Sequence, residues 1–283
     1  GSWLMGDSKP SVANVPGTIS SSLTWETVKS LNVGFDLGML RNRLTVNFDY
    51  FVRKTLDMVG PASEIAGIYG TGMPQTNNTN LRTKGWELAV AWRDQIGQVN
   101  YNVGFNIADS RSFVDKYPNA DKSIKTYYEG QELGEIWGYV THGIAKSQAE
   151  MDEWTAKNNP SWGSGWGEGD IMYTDLNNDN VINEGANTVD DPGDRKIIGN
   201  STPRFRFGIN LGLEWKGLDF SMFWQGVAKR DLALTGAMFW GLSGGEWQST
   251  GFKEHLDYYR PENTNSVFGP NTDAYFPRIY MGK

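Results

Sequence analysis

The strongest constraint on the fold is a repeated unit of two amphipathic β-strands joined by a very short turn. In the first unit, apolar residues from Leu31 to Leu37 alternate with polar residues or glycine, and the pattern resumes from Leu44 to Val52 after a turn at 41–43. A period of two places the apolar side chains on one face of a strand and the polar ones on the other. The sequence therefore predicts a hairpin with one apolar face.

The hairpin pattern occurs twice more, over 86–107 with a turn at 94–97 and over 205–224 with a turn at Lys216-Gly217. Each strand has about the 9–11 residues that a tilted strand needs to cross a bilayer core. Short turns alternate with long connections, which is typical of transmembrane barrels. Trp and Tyr near the strand ends are typical of interfacial aromatic girdles. These aromatic residues are Tyr50, Trp86, Trp92, Trp215 and Trp224.

A soluble β-sandwich is the alternative, because its strands also alternate. A sandwich, however, rarely has short connections at one end and very long ones at the other. No run of eighteen apolar residues occurs, so the sequence predicts no transmembrane helix. The two folds differ in one observable way. In a sandwich the Leu44/Phe48 and Phe207/Leu211 stripes would pack against each other in a dry interior, whereas in a barrel they would face lipid.

Composition excludes several classes of function. The chain of 283 residues contains no cysteine, which excludes a disulfide framework and thiol chemistry. The formal net charge is −7 and the sequence shows no basic run, which argues against a nucleic-acid partner. Aromatic residues make up 13% of the chain, a rich supply even for a β protein.

The pattern predicts one domain over residues 1–283, with about six membrane strands and three long loops at 54–81, 110–202 and 227–283. A soluble domain should not need loops of this size. Within the second loop, 135–140 and 170–173 are predicted to form a short extra strand pair. Residues 147–157 are predicted to be helical, with Ser147 as the N-cap and Glu150 completing a capping box.

The sharpest local motif lies at 175–183. Calcium loops place oxygen ligands at alternate positions, and five residues match that spacing. The matching residues are Asp175, Asn177, Asp179, Val181 through its carbonyl, and Asn183. Asn180 stands where glycine is usual and Ala186 where a bidentate Glu is usual. The carboxylate of Asp190, Asp191 or Asp194 would have to loop back to complete the site. The alternative is an Asx-rich turn that caps its own backbone. If a metal binds, an all-protein oxygen set favours Ca²⁺ over Mg²⁺.

The sequence carries no catalytic constellation and predicts that the chain is not an enzyme. His142 and His255 lie in long loops without metal-ligand spacing, and no nucleophile elbow or phosphate loop occurs. The many carboxylates leave a glycosidase-like pair open. Four loop aromatics are predicted to contact substrate or a partner by stacking, or alternatively to build small cores within the loops. These are Trp240, Trp247, Tyr258 and Tyr259.

Several short sequence segments, which we call phrases, occur in a fixed order that resembles the SusC/RagA-type TonB-dependent outer-membrane transporters of Bacteroidetes. Each phrase is weak alone, but together they cover most of the chain. They are Leu23–Thr27, Asn32–Gly34, Arg43–Thr45, Asp49-Tyr50, Arg53–Thr55, Asn80 with Lys84–Leu88, Ile136–Tyr139, Gly143-Ile144, Gly169–Ile171, Asp175–Asp179, Asp194–Asn200 and Pro203–Phe205.

This resemblance implies an all-β fold, a segment of a plugged antiparallel transmembrane β-barrel of about 22 strands in the Gram-negative outer membrane. It implies uptake of oligosaccharides or peptides, a SusD-like surface lipoprotein as partner, and contact with membrane lipid. TonB would engage through an N-terminal region that, like the plug domain, we expect to lie outside this chain. The main alternative is a soluble extracellular glycan-binding β module, with or without stabilising calcium; an enzyme acting on polysaccharide is the third.

Overall fold

A computed structural model describes residues 20–21, 23–61, 74–234, 239 and 251–279. Contacts divide the chain into two compact units, the first comprising 1–120, 126–133 and 204–228, and the second comprising 121–125, 134–203 and 229–283.

The strands are β1 (Thr27–Met39), β2 (Leu44–Gly60), β3 (Thr76–Ile96), β4 (Val99–Lys116), β5 (Glu135–Tyr139), β6 (Thr141–Ile144), β7 (Ile171–Tyr173), β8 (Arg195–Asn200), β9 (Arg204–Trp215) and β10 (Leu218–Lys229). The α-helix α1 spans Gln148–Asn158, and a 3₁₀ helix spans Lys253–Leu256. None of the helices in the described ranges is long and apolar enough to cross a membrane.

The first unit is built on a six-stranded sheet in the order β1-β2-β3-β4-β9-β10. The pairings from β1 to β9 are antiparallel, and chain neighbours are sheet neighbours except at the step from β4 to β9. The three predicted hairpins are confirmed. Their tight turns contain residues with positive φ, among them Asn42, Gly97 and Gly217 at 60°, 61° and 83°. Such turns match the twist of the flanking strands.

The strands extend further than their apolar alternation, so the predicted loop boundaries were wrong. The connection predicted at 54–81 is only 61–75, β4 continues to Lys116 into the loop predicted at 110–202, and β10 continues to Lys229 into the loop predicted at 227–283. Polar residues interrupt the apolar alternation in the added segments, as at 76–80 and 110–112, and they hide a strand from a periodicity argument. Backbone pairing still holds them: Thr83 pairs with Ser112 on the adjacent strand, and the two side-chain hydroxyls lie 2.8 Å apart.

The second unit contains two small sheets in place of the one predicted strand pair. β5 pairs with β8, and β6 pairs with β7. The prediction that 135–140 pairs with 170–173 is therefore wrong in its partners, and β8 was not predicted. The predicted segment divides at Val140, whose carbonyl accepts a hydrogen bond from the Thr174 N–H at 2.8 Å.

The predicted helix is confirmed as α1. The Ser147 hydroxyl accepts a hydrogen bond from the Glu150 N–H at 3.2 Å. The Glu150 carboxylate accepts from the Lys146 N–H at 2.6 Å, one residue before the cap that a capping box would use. Met151 and Trp154 face inward from this helix into the core of the second unit, which Ala145, Met172 and Ile182 complete.

Candidate functional site

The register of the six-stranded sheet joins the apolar stripes of its strands into continuous rows. Three successive rows cross five strands, and together they form what we call the apolar belt. The rows are Phe35–Phe48–Leu88–Ile107–Phe207, Leu37–Val46–Val90–Phe105–Ile209 and Met39–Leu44–Trp92–Val103–Leu211. Because side chains alternate between faces, all of these residues lie on one face of the sheet.

Among the described residues of the first unit, no second layer covers this belt. Among the buried hydrophobic residues of the described chain, only Val114 belongs to the six strands. Phe35 is 51% exposed even though its ring centroid lies 5.6 Å from that of Phe48. The Leu44/Phe48 and Phe207/Leu211 stripes lie side by side in one layer and do not face each other across a core. A contiguous apolar surface of this kind marks contact with a partner or a membrane.

The length of the apolar stretch matches a bilayer. The stretch from Leu44 to Val52 contains nine residues, and its eight steps of about 3.3 Å cover roughly 26 Å. Transmembrane barrels carry an apolar band of about 25 Å. Tyr50 and Trp86 face each other on the loop side of the belt, and Trp215 ends it on the turn side.

The opposite face of the sheet is polar and lined with small residues. One row there is Asp36–Asn47–Ala89–Asn106–Gly208, and the next is Gly34–Asp49–Glu87–Ala108–Arg206. The glycines make room for polar neighbours, since a Cβ on Gly34 would lie 2.2 Å from Asp49 Oδ1 and one on Gly212 would lie 2.3 Å from Asn102 Nδ2. The Asn47 amide donates to the Asp36 carboxylate. This face can line an aqueous or protein-filled interior.

An ion pair fixes β9 against β4 on the loop side of the belt. The Arg204 guanidinium donates to both carboxylate oxygens of Asp109. Asp109 is buried, so leaving its charge unpaired would be costly. Arg111 forms a second pair with Glu132 nearby. Sequence reasoning did not find this network, because its members are far apart in the chain.

In the second unit, the 175–183 motif closes on itself through Asx turns. Asp175 accepts from the Asn178 N–H at 2.6 Å and from the Asn180 N–H at 2.9 Å. Asp179 accepts from the Val181 N–H at 2.7 Å. Asn180 has φ of 64°, so it adopts the left-handed conformation that glycine usually supplies at this position of a calcium loop. The structure thus brings the predicted ligands of the motif into one loop.

Asp194 has a different position from the other predicted ligands. It is fully buried, and its two carboxylate oxygens each accept a backbone hydrogen bond at 2.8 Å, one from Leu176 and one from Asn183. Asp194 therefore joins the two ends of the loop. Across the described part of the chain, no three His, Cys, Asp or Glu side chains form a cluster that could hold a metal ion.

A cavity of about 550 Å³ lies between α1 and the Asx loop. Its polar lining includes Asp175, Asn178 and Asn180, and its aromatic lining includes Trp154 and Tyr173. Aromatic rings beside several hydrogen-bonding groups are typical of ligand pockets. No sequence signal pointed to Trp154 or Tyr173, because their meeting with the loop depends on the packing of α1.

The loop aromatics occupy different environments. Trp240 and Trp247 lie outside the described residues. Tyr258 is half-buried, with the Arg260 guanidinium 4.7 Å from its ring centroid. Tyr259 is only 2% exposed, and its hydroxyl donates to Glu168 at 2.8 Å. Burial, together with the hydrogen bond to the Glu168 carboxylate, raises the pKa of Tyr259 to about 12. Tyr259 is therefore part of a small core within the second unit.

An antiparallel sheet with an uncovered apolar face, a polar face and turns at one end is a segment of β-barrel wall. No family model matches the chain. The chain is 26% identical to TonB-dependent receptor P3 of Formosa agariphila over 277 residues, which covers 93% of this chain and 26% of that protein. It is 23% identical to TonB-dependent receptor SusC of Bacteroides thetaiotaomicron over 216 residues, which covers 73% of this chain and 20% of that protein.

A solved structure shares the fold. The structure of the RagAB peptide transporter superposes with a TM-score of 0.65 at 17% identity, covering 98% of this chain and 28% of the matched one. The predicted resemblance to SusC/RagA-type TonB-dependent transporters is confirmed, as is the fold, a segment of such a barrel that does not close within this chain. The chain spans only a fifth to about a quarter of the length of these curated relatives.

Asp194→Asn should loosen the Asx loop. The substitution replaces one carboxylate oxygen, an acceptor, with an NH₂ group, a donor that faces a backbone N–H. The unsatisfied pair should cost roughly 1–3 kcal/mol of stability. Hydrogen exchange at the Leu176 and Asn183 amides measures the change. Asp190→Asn is the matched control, since Asp190 is exposed and its ammonium partner on Lys122 lies 3.5 Å away. Equal exchange in the two variants would contradict the role of Asp194.

Tyr259 should make the second unit lose stability at alkaline pH. The folded pKa is about 12 against the ordinary 10.0, so the contribution of the neutral hydroxyl is complete below pH 10 and is lost as pH rises towards 12. The loss should be on the order of 2 kcal/mol. Tyr259→Phe removes this part of the pH dependence of thermal unfolding. Tyr258→Phe, which keeps the bond from Tyr259 to Glu168, should retain it, and identical profiles for both variants and the wild type would refute the assignment.

Proposed function

We propose that the chain forms part of the barrel wall and outer loops of a TonB-dependent outer-membrane transporter that imports oligosaccharides or peptides. The uncovered apolar belt opposite a polar face carries this proposal. Hydrocarbon on one side and an aqueous lumen on the other satisfy both faces, and only a closed sheet satisfies the backbone of strands in lipid. The named functions of the relatives, receptors and a peptide transporter, support it.

The connections suggest an orientation and partners. The tight turns follow β1, β3 and β9, so they share one end of the sheet, which we assign to the periplasm. The long connections at the other end would face outward and contact substrate and a SusD-like lipoprotein, with Tyr258, Trp240 and Trp247 as candidate contacts. TonB would engage a region outside this chain. Wall and loop roles of this kind require no catalytic residue.

Leu88 and Ala89 provide a test of the two faces, because they are adjacent and lie on opposite sides of β3. The chain has no cysteine, so Leu88→Cys and Ala89→Cys each accept a single fluorescent label. In lipid vesicles, lipids with brominated acyl chains should quench the label at 88 strongly and the label at 89 weakly, since only position 88 lies on the belt. Equal quenching at the two positions would contradict a membrane-facing belt.

We also propose that the 175–183 loop binds one Ca²⁺. Asp175, Asn177 and Asp179 would supply side-chain oxygens, Val181 its carbonyl and Asn183 its amide oxygen. The spacing, the Asx turns and the left-handed Asn180 support this assignment. Asp194 is not included, because it is fully buried and its two oxygens hold the backbone N–H groups of Leu176 and Asn183. With two carboxylates, we expect weak affinity, on the order of 10⁻⁴–10⁻³ M.

Millimolar Ca²⁺ should slow hydrogen exchange across 175–183, because binding favours the closed loop. Asp179→Asn keeps the acceptor for the Val181 N–H but removes a charge, and should weaken the calcium response about tenfold. Asp190→Asn is the control and should respond as the wild type does. An equal response to Mg²⁺, or no response at all, would favour the self-capped turn.

A further inference from the structure

Five basic side chains stand on the belt face of four neighbouring strands, beyond the belt on the side of the long loops. They are Lys29, Lys54, Arg82, Lys84 and Arg111, and we call them the basic patch. Their face follows from the period of two: Lys29 lies two residues from Leu31, Lys54 two from Val52 and Lys84 two from Trp86. The patch is positive, although the chain as a whole carries a net charge of −7.

The register places like charges directly opposite one another. Lys29 faces Lys54, Lys54 faces Arg82, and Lys84 faces Arg111. Such cross-strand pairs destabilise a sheet. The cations of Arg82, Lys84 and Arg111 also lie 5.6, 5.1 and 5.3 Å from the centre of the Phe113 ring. The sheet thus brings positive charges close together, and their repulsion costs free energy. A bound anion would offset this cost.

Nearby carboxylates neutralise only part of the patch. Arg82 pairs with Asp115 at 3.1 Å, and Arg111 pairs with Glu132. Lys29, Lys54 and Lys84 form no ion pair with any residue that the structure describes. Three positive charges therefore remain on this face. On the turn side of the belt, by contrast, Arg43 and Asp94 neutralise each other at 2.9 Å.

With the belt in hydrocarbon, the patch would lie at the height of the lipid phosphates. Tyr50 and Trp86 lie between the belt and the patch on β2 and β3, and aromatic residues in such positions sit at the headgroup level. Lys side chains extend from this depth towards the interface, and Lys and Arg both bind phosphate. We propose that the basic patch binds the phosphate of an anionic lipid headgroup in the leaflet on the loop side. This inference rests on the proposed function, because only a belt in hydrocarbon places the patch against lipid.

The test uses the protein produced from its whole gene, held in lipid nanodiscs. Val52→Cys carries a fluorescent label on the belt face beside the patch, where Val52 faces Lys84. A small fraction of brominated phosphatidylglycerol or brominated phosphatidylcholine then reports which lipid occupies the neighbourhood. The patch variant is K29Q/K54Q/K84Q. The matched control, K122Q/K125Q/K157Q, removes the same charge from residues outside the six-stranded sheet.

Phosphatidylglycerol should be preferred over phosphatidylcholine at this position by about tenfold. The preference should fall to near unity in the patch variant and persist in the control. If both lipids quench equally in the wild type, the label is in hydrocarbon and the transporter proposal stands, but the lipid site is refuted. If neither lipid quenches, the belt is not in a membrane and both proposals fail. If inorganic phosphate, but not chloride of equal ionic strength, removes the preference, the patch binds free phosphate and the lipid assignment is overturned.

Discussion

Antiparallel register is the constraint on which the first unit depends. It places Phe35, Phe48, Leu88, Ile107 and Phe207 in one row across strands that are distant in the chain. A slip of one residue in any pairing would move the side chains of that strand to the other face. The belt, the polar face and the basic patch all exist only because the register is kept from strand to strand.

The two units achieve order by different means. In the first, backbone ladders and cross-strand pairs hold a single layer whose apolar face needs an environment other than water. In the second, a small core around Met151 and Trp154 is supplemented by buried polar contacts. Asp194 closes the Asx loop, and the Arg278 guanidinium donates to both oxygens of Asp170 at 2.8 and 2.7 Å. Polar groups can take this role because both carboxylate oxygens of Asp194 and of Asp170 accept hydrogen bonds.

Much of the sheet could be predicted from sequence, and little of the second unit. Alternation from Leu31 to Leu37 and from Leu44 to Val52 is a local signal, and so is the Ser147 cap of α1. The strand extension to Lys116 and the pairing of β5 with β8 gave no such signal, because polar strands and three- to six-residue strands are defined by their partners. The motif at 175–183 was visible as a set of oxygen ligands, but the burial of Asp194 was not.

The sequence by itself determined the hairpins, the two-faced character of their strands and the family that the chain resembles, since each depends on residues close together in the chain. Only the tertiary structure decided which residues of different strands become neighbours on each face. Lys29, Lys54 and Lys84 are separated by about 25 to 30 residues and form no basic run, yet pairing of β1, β2 and β3 brings them together. Strand pairing places residues that are far apart in the chain on neighbouring strands, which lie about 4.8 Å apart. A cluster of charges formed in this way cannot be seen in the linear sequence.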